Sequence, residues 1–75
     1  MILTDDIKSL APHQLRVVKE RAELSEKIDA LEAFCFGSST SVFGSLDQRE
    51  QSLLTKQLDA MKAYEHILSI RISHF

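Results

Sequence analysis

Apolar side chains recur along two stretches of this chain at spacings of four and three. In the first, Leu24, Ile28, Leu31 and Cys35 form a stripe. Leu15, Val18 and Ala22 extend it towards the N-terminus, and Val17 and Phe34 widen it. That period is one face of an α-helix. Pro12 opens the stretch, where its missing N–H would have had no partner, and no Gly or Pro follows until Gly37. The pattern predicts a helix over 12–36, with Gly37 as its stop because glycine tolerates positive φ.

The second stretch carries Leu54, Leu58, Met61, Leu68, Ile72 and Phe75 as its main stripe. Leu53, Ala60, Tyr64 and Ile67 flank it and broaden the apolar face beyond what one neighbouring helix covers. Ser45-Leu46-Asp47-Gln48 has capping-box form with Ser45 at the cap, so this helix is expected over 46–73. Residues 37–45 between the helices are small and polar at first. Val42 and Phe43, with Leu46 at the start of the second helix, then form an apolar plug against the hairpin end. Residues 1–11 read as a short helical arm, capped by Thr4, whose Ile2, Leu3, Ile7 and Leu10 call for a packing partner. The expected fold is all-α: one domain over 1–75, an antiparallel helical hairpin with a short N-terminal arm, assembled as an oligomer. Ile67, Leu68, Ile70 and Ile72 point in nearly every direction around the second helix, so a lone hairpin leaves part of that cluster wet.

Size sharpens the expectation of assembly. At 8.5 kDa the chain is one small domain. A compact globule of that mass exposes about 4,700 Å², and its burial barely offsets the entropy of ordering the chain. With one cysteine, Cys35, and three scattered histidines, neither a disulfide nor a structural zinc is expected. Cys35 reads as a small buried hydrophobe. Nine basic residues against eleven acidic ones give a net charge of −2, which argues against binding long nucleic acid. No apolar run is long enough to span a membrane, and the N-terminus lacks the form of a secretory signal. A reduced cytoplasmic setting is the expectation.

No catalytic constellation, metal-ligand spacing or Gly-rich phosphate loop is visible, so no catalytic residue, metal or cofactor is expected. Binding chemistry concentrates near the start of the first helix. His13, Arg16, Lys19 and Lys27 bring donors towards a helix N-terminus with free N–H groups, a combination suited to phosphate. One chain has too little surface to enclose a ligand, whereas two or three chains meeting can form a concave pocket for a small cyclic dianion. Tyr64 reads either as an interfacial aromatic or as a platform for a base. Arg71 stands in the last turns of the second helix, where a cation suits the local dipole. Arg16–Glu20, Lys19–Glu23 and Glu23–Lys27 are spaced to pair along the first helix. His66 and His74 read as surface or packing histidines rather than ligands.

Pro12-His13-Gln14-Leu15-Arg16-Val17-Val18 with Glu20 and Lys27, then Gln57-Leu58-Asp59-Ala60-Met61-Lys62-Ala63-Tyr64 with Ile67-Leu68 and Arg71-Ile72, resemble segments of a group of small bacteriophage proteins. The layout is similar to the helical-hairpin domain of phage anti-CBASS and anti-Thoeris sponges. The resemblance implies a homo-oligomer, often a hexamer. It would sequester cyclic di- or trinucleotide immune signals between subunits without cleaving them, in the cytoplasm of an infected bacterial host. It puts Lys27 at the pocket lysine and Arg71 at the late arginine. Where the family carries an aromatic before the first long helix, this chain has Leu10, Ala11 and His13, so stacking falls to His13 or another subunit. The expected site is therefore His13, Arg16, Lys27, Tyr64 and Arg71. Two rival readings are a module that inhibits or bridges a host protein through its apolar face, and a structural small phage protein with no ligand.

Overall fold

The computed structural model describes residues 10–37 and 41–75. Helix α1 spans Pro12–Phe36, a short α2 spans Ser41–Ser45, and α3 spans Gln48–Ser73. Among the described residues there is no strand. The expected arm, residues 1–11, lies outside the described part apart from Leu10 and Ala11.

Local chemistry sets each boundary. At the start of α1, Pro12 takes the first helical position and the Ala11 N–H donates to Gln14 Oε1 at 2.9 Å. Ala11 has no side-chain acceptor, so only this half of a capping box forms. Gly37 ends α1 in an extended conformation, φ −76° and ψ −178°. The expected reason for glycine here, positive φ, is therefore wrong. A Cβ on Gly37 would lie 2.3 Å from the Ala33 carbonyl oxygen, and close approach is what requires the bare backbone.

The start of α3 also corrects the sequence reading. Asp47, not Ser45, is the cap: its carboxylate accepts the Glu50 N–H at 2.8 Å, and the helix begins at Gln48. Ser45 Oγ instead donates to the Val42 carbonyl and closes α2. Asp47 with Glu50 three residues on has capping-box spacing too, and a carboxylate at the positive end of the helix outcompetes a hydroxyl. Gln51 Nε2 donates to the Leu46 carbonyl at 2.8 Å, fixing the entry into the helix.

The two long helices run antiparallel. Glu32, late in α1, meets Lys62, and Arg21, earlier in α1, meets Ser69 further along α3. The seam between them is built from Val17, Leu24, Ile28, Leu58 and Leu68, with Leu31, Met61 and Ile72 packed against it. Leu68 is fully buried. The stripe expected in α1 continues N-terminally through Val17, seven residues before Leu24, while Val18 is half-buried and Ala22 is exposed. A sustained period of seven keeps the seam facing its partner, which Val18 and Ala22 would leave. Cys35 is buried beyond the end of this cluster. Next to it Phe43 of α2 meets Phe34 edge-on, ring centroids 6.0 Å apart, and Phe36 at 6.5 Å. The expected apolar plug is only partly formed, because Phe43 and Leu46 are half-buried but Val42 is exposed.

The molecule measures 48 × 20 × 16 Å, with a radius of gyration of 16.1 Å. A globule of this length would have a radius of gyration of about 11 Å. A two-helix rod has one buried seam, and the rest of each helix faces outwards. Leu53, Tyr64, Ile67 and Ile70 are exposed on α3, and Phe36 and Val42 at the hairpin tip.

Candidate functional site

The two cross-links define the two broad sides of the hairpin. Arg21 Nε donates to Ser69 Oγ at 2.8 Å, and Lys62 Nζ donates to Glu32 Oε2 at 2.6 Å. These four residues mark one side. Successive residues of a helix turn by about 100°. On that count Arg16 and Lys27 share the opposite flank of α1, roughly 20° apart and about 16 Å apart along the axis. Tyr64 and Arg71 likewise lie on the flank of α3 away from Lys62 and Ser69. Arg16, Lys27, Tyr64 and Arg71 thus share one side of the molecule.

Their levels along the hairpin separate them into two groups. Interpolating between the Glu32–Lys62 and Arg21–Ser69 contacts puts Lys27 level with Tyr64 and Glu65. Continued to the open end, the same register sets Arg16 level with the last turns of α3, where Arg71 stands. His13 is one turn further out, at the start of α1. The fold therefore collects Arg16, Arg71 and His13 at the open end and Lys27 with Tyr64 at mid-length. All five are exposed, and among the described residues none of their side chains makes a hydrogen bond or ion pair.

None of the three pairs anticipated along α1 forms. The ion pair among the described residues is Lys62–Glu32, between the helices. An exposed i,i+4 pair is worth a few tenths of a kcal/mol, too little to hold two long side chains against solvent. Arg16 and Lys27 are thereby left without a carboxylate partner among the described residues. Lys62 does respond to its partner: the hydrogen bond to Glu32 holds its ammonium above the ordinary lysine value of 10.5. That contribution is complete at neutral pH and disappears only as the pH rises through the shifted value.

Sequence reasoning missed the polar links across the hairpin. Extending the period-seven seam from Val17 through Leu24 and Ile28 sets Arg21 at its edge. Its position could have been read from that pattern, but its partner Ser69 could not, because partnering depends on helix register.

Two shallow depressions are lined by described residues. A shallow depression of about 490 Å³ lies beside Phe43, Gln48, Gln51, Ser52 and Thr55. A smaller one of about 290 Å³ is lined by Asp29, Glu32, Ala33, Phe36 and Gly37. Neither contains any of the five candidate residues, and the second is acidic, which disfavours an anion. No group of three or more His, Cys, Asp or Glu side chains able to hold a metal occurs among the described residues. No helix among them is long and apolar enough to cross a membrane.

A family model described as Sequestin matches residues 11–74, the hairpin from the cap of α1 to the end of α3. No curated protein and no solved structure matches the chain.

Proposed function

The chain belongs to the Sequestin family, whose proteins are non-catalytic sponges linked to evasion of CBASS through cyclic nucleotides, and from this premise we propose how it binds. Copies of the hairpin assemble, and the ligand, a cyclic di- or trinucleotide, is held between subunits and released intact. Phosphates are neutralised by Arg16, Lys27 and Arg71. His13 and Tyr64 pack against the bases. The protein acts by stoichiometric capture in the cytoplasm of the infected host, so its effect scales with affinity and copy number.

One observation carries this reading beyond family membership. The cations and the tyrosine share one exposed side of the rod, and neither of the two shallow depressions includes any of them. A second chain laid on that side would supply the missing wall, exclude water and strengthen each charge–phosphate contact.

Calorimetry against a panel of cyclic di- and trinucleotides tests it. At least one ligand should bind, with a ratio of ligand to chain below one. Lys27→Ala or Arg71→Ala should weaken binding by about tenfold or more, the loss of one charge-assisted contact worth about 1.5–3 kcal/mol. Absence of heat with every ligand would overturn the proposal.

The exposed Phe36 and Val42 at the hairpin tip favour the rival reading, docking onto a host protein. That reading expects a stoichiometric host partner in a pull-down, lost in Phe36→Ala and retained in Lys27→Ala.

A further inference from the structure

Gln48, Thr55, Lys62 and Ser69 recur every seven residues and so share one line of α3. Lys62 and Ser69 make the two cross-links to α1. Gln48 and Thr55 continue the line to the hairpin tip. There, with Gln51, Ser52 and Phe43 of α2, they line the depression of about 490 Å³. Its volume is within the range of small-molecule clefts, roughly 300–1,000 Å³. It lies on the side of the rod away from Arg16, Lys27, Tyr64 and Arg71.

Charge narrows the class of ligand first. The lining residues include no carboxylate and no cation, so neither a cation nor an anion gains an ion pair there. The start of α3 does not invite a phosphate either, because the Asp47 carboxylate caps it and accepts the Glu50 N–H at 2.8 Å. An uncharged ligand is what fits.

Hydrogen bonding sets the polarity of that ligand. Gln51 Nε2 donates to the Leu46 carbonyl at 2.8 Å and to the Gly44 carbonyl at 3.4 Å. Both amide hydrogens are spent, and Gln51 keeps only Oε1, an acceptor. Thr55 Oγ1 donates to the Ser52 carbonyl at 2.9 Å, so its lone pairs remain. The wall beside these two acceptors is aromatic. Phe43 is half-buried, its ring held edge-on by Phe34 at 6.0 Å and tilted against Phe36 at 6.5 Å. Ring, amide and hydroxyl are therefore fixed before any ligand arrives, which spares the cost of ordering them on binding.

A flat, uncharged ring that carries an NH₂ group matches an aromatic wall with two preset acceptors. We propose that the hairpin tip binds a nucleobase with an exocyclic amine, of the adenine type. The base packs on Phe43, as bases do on aromatic side chains. Its two amine hydrogens go to Gln51 Oε1 and Thr55 Oγ1, and the Gln48 amide supplies donors for a ring nitrogen. This site goes beyond the proposed capture of cyclic nucleotides, since it uses none of those five residues and holds no phosphate.

Titration of the isotope-labelled full chain by nuclear magnetic resonance tests the site, with adenosine as the probe. Adenosine should shift the backbone amides of Phe43, Gln51, Ser52 and Thr55. The shifts should saturate with a Kd on the order of 1 mM, as one base stacked on an open surface gives. Purine riboside has the same ring without the amine and should bind about fivefold more weakly, the loss of neutral hydrogen bonding. Thr55→Val keeps the side-chain shape; it should weaken adenosine by about threefold and leave purine riboside unchanged. Phe43→Leu should abolish the shifts of both nucleosides, with helicity by circular dichroism unchanged. No saturable shift with adenosine at about ten times that concentration would overturn the site. So would equal affinity for the two nucleosides, or an equal loss of both in Thr55→Val. Nucleosides carry no phosphate, so the result does not depend on Arg16, Lys27 or Arg71, and failure here is distinct from failure of the sponge reading.

Discussion

Gly37 shows how a single residue can be right for an unexpected reason. Its φ of −76° is open to any amino acid, yet a Cβ there would collide with the Ala33 carbonyl at 2.3 Å. The oxygen cannot retreat, because it accepts the Gly37 N–H at 2.9 Å and closes the last turn of α1. Gly37→Ala should therefore destabilise the fold by about 1–2 kcal/mol, lowering the thermal midpoint by about 5–10 °C. Gly44→Ala is the control, since a Cβ there meets nothing within 4 Å. Equal melting of both variants would refute the steric account. The same scale explains the misread cap. Ser45 and Asp47 both precede the second helix, and the sequence offers two capping frames two residues apart. What separates them is which oxygen reaches a free N–H, and the Asp47 carboxylate does so at 2.8 Å.

At the scale of elements the sequence was most informative. Spacings of four and three determined both long helices, because a period near 3.6 is the only one that keeps these residues on one face. Pro12 marked the start of α1, and the uninterrupted run to Gly37 marked its end. The candidate site was legible only in part. The helix pattern gives the rotation of Arg16, Lys27, Tyr64 and Arg71 about their own axes. Their common side follows only once Arg21–Ser69 and Glu32–Lys62 fix how α1 lies against α3. Adjacent residues of α3 make the two-stripe reading testable. Leu68 is fully buried against α1 and Ile67 is 54% exposed. Leu68→Ala should cost about 2–5 kcal/mol, by lost burial and the cavity left behind, and should unfold the chain on mild heating. Ile67→Ala should leave helicity by circular dichroism unchanged and instead weaken self-association. A monomeric, fully folded Leu68→Ala, or an unfolded Ile67→Ala, would reverse the assignment of the two stripes.

For the whole molecule, one seam with five buried side chains among the described residues has to hold a rod 48 Å long. That is thin support, since small domains are marginal even when globular. On the proposed reading the exposed apolar stripe of α3 and the cations beside it, unpaired among the described residues, meet the same need: a second copy would bury the first and an anionic ligand would neutralise the second. Stability, assembly and ligand capture are then one coupled equilibrium, and the ligand should raise the thermal midpoint as it draws chains together. Native mass spectrometry of the protein mixed with cyclic di- and trinucleotides tests this most directly. The account predicts a homo-oligomer carrying a bound cyclic nucleotide of unchanged mass; an 8.5 kDa chain that stays monomeric and empty with every ligand would contradict it.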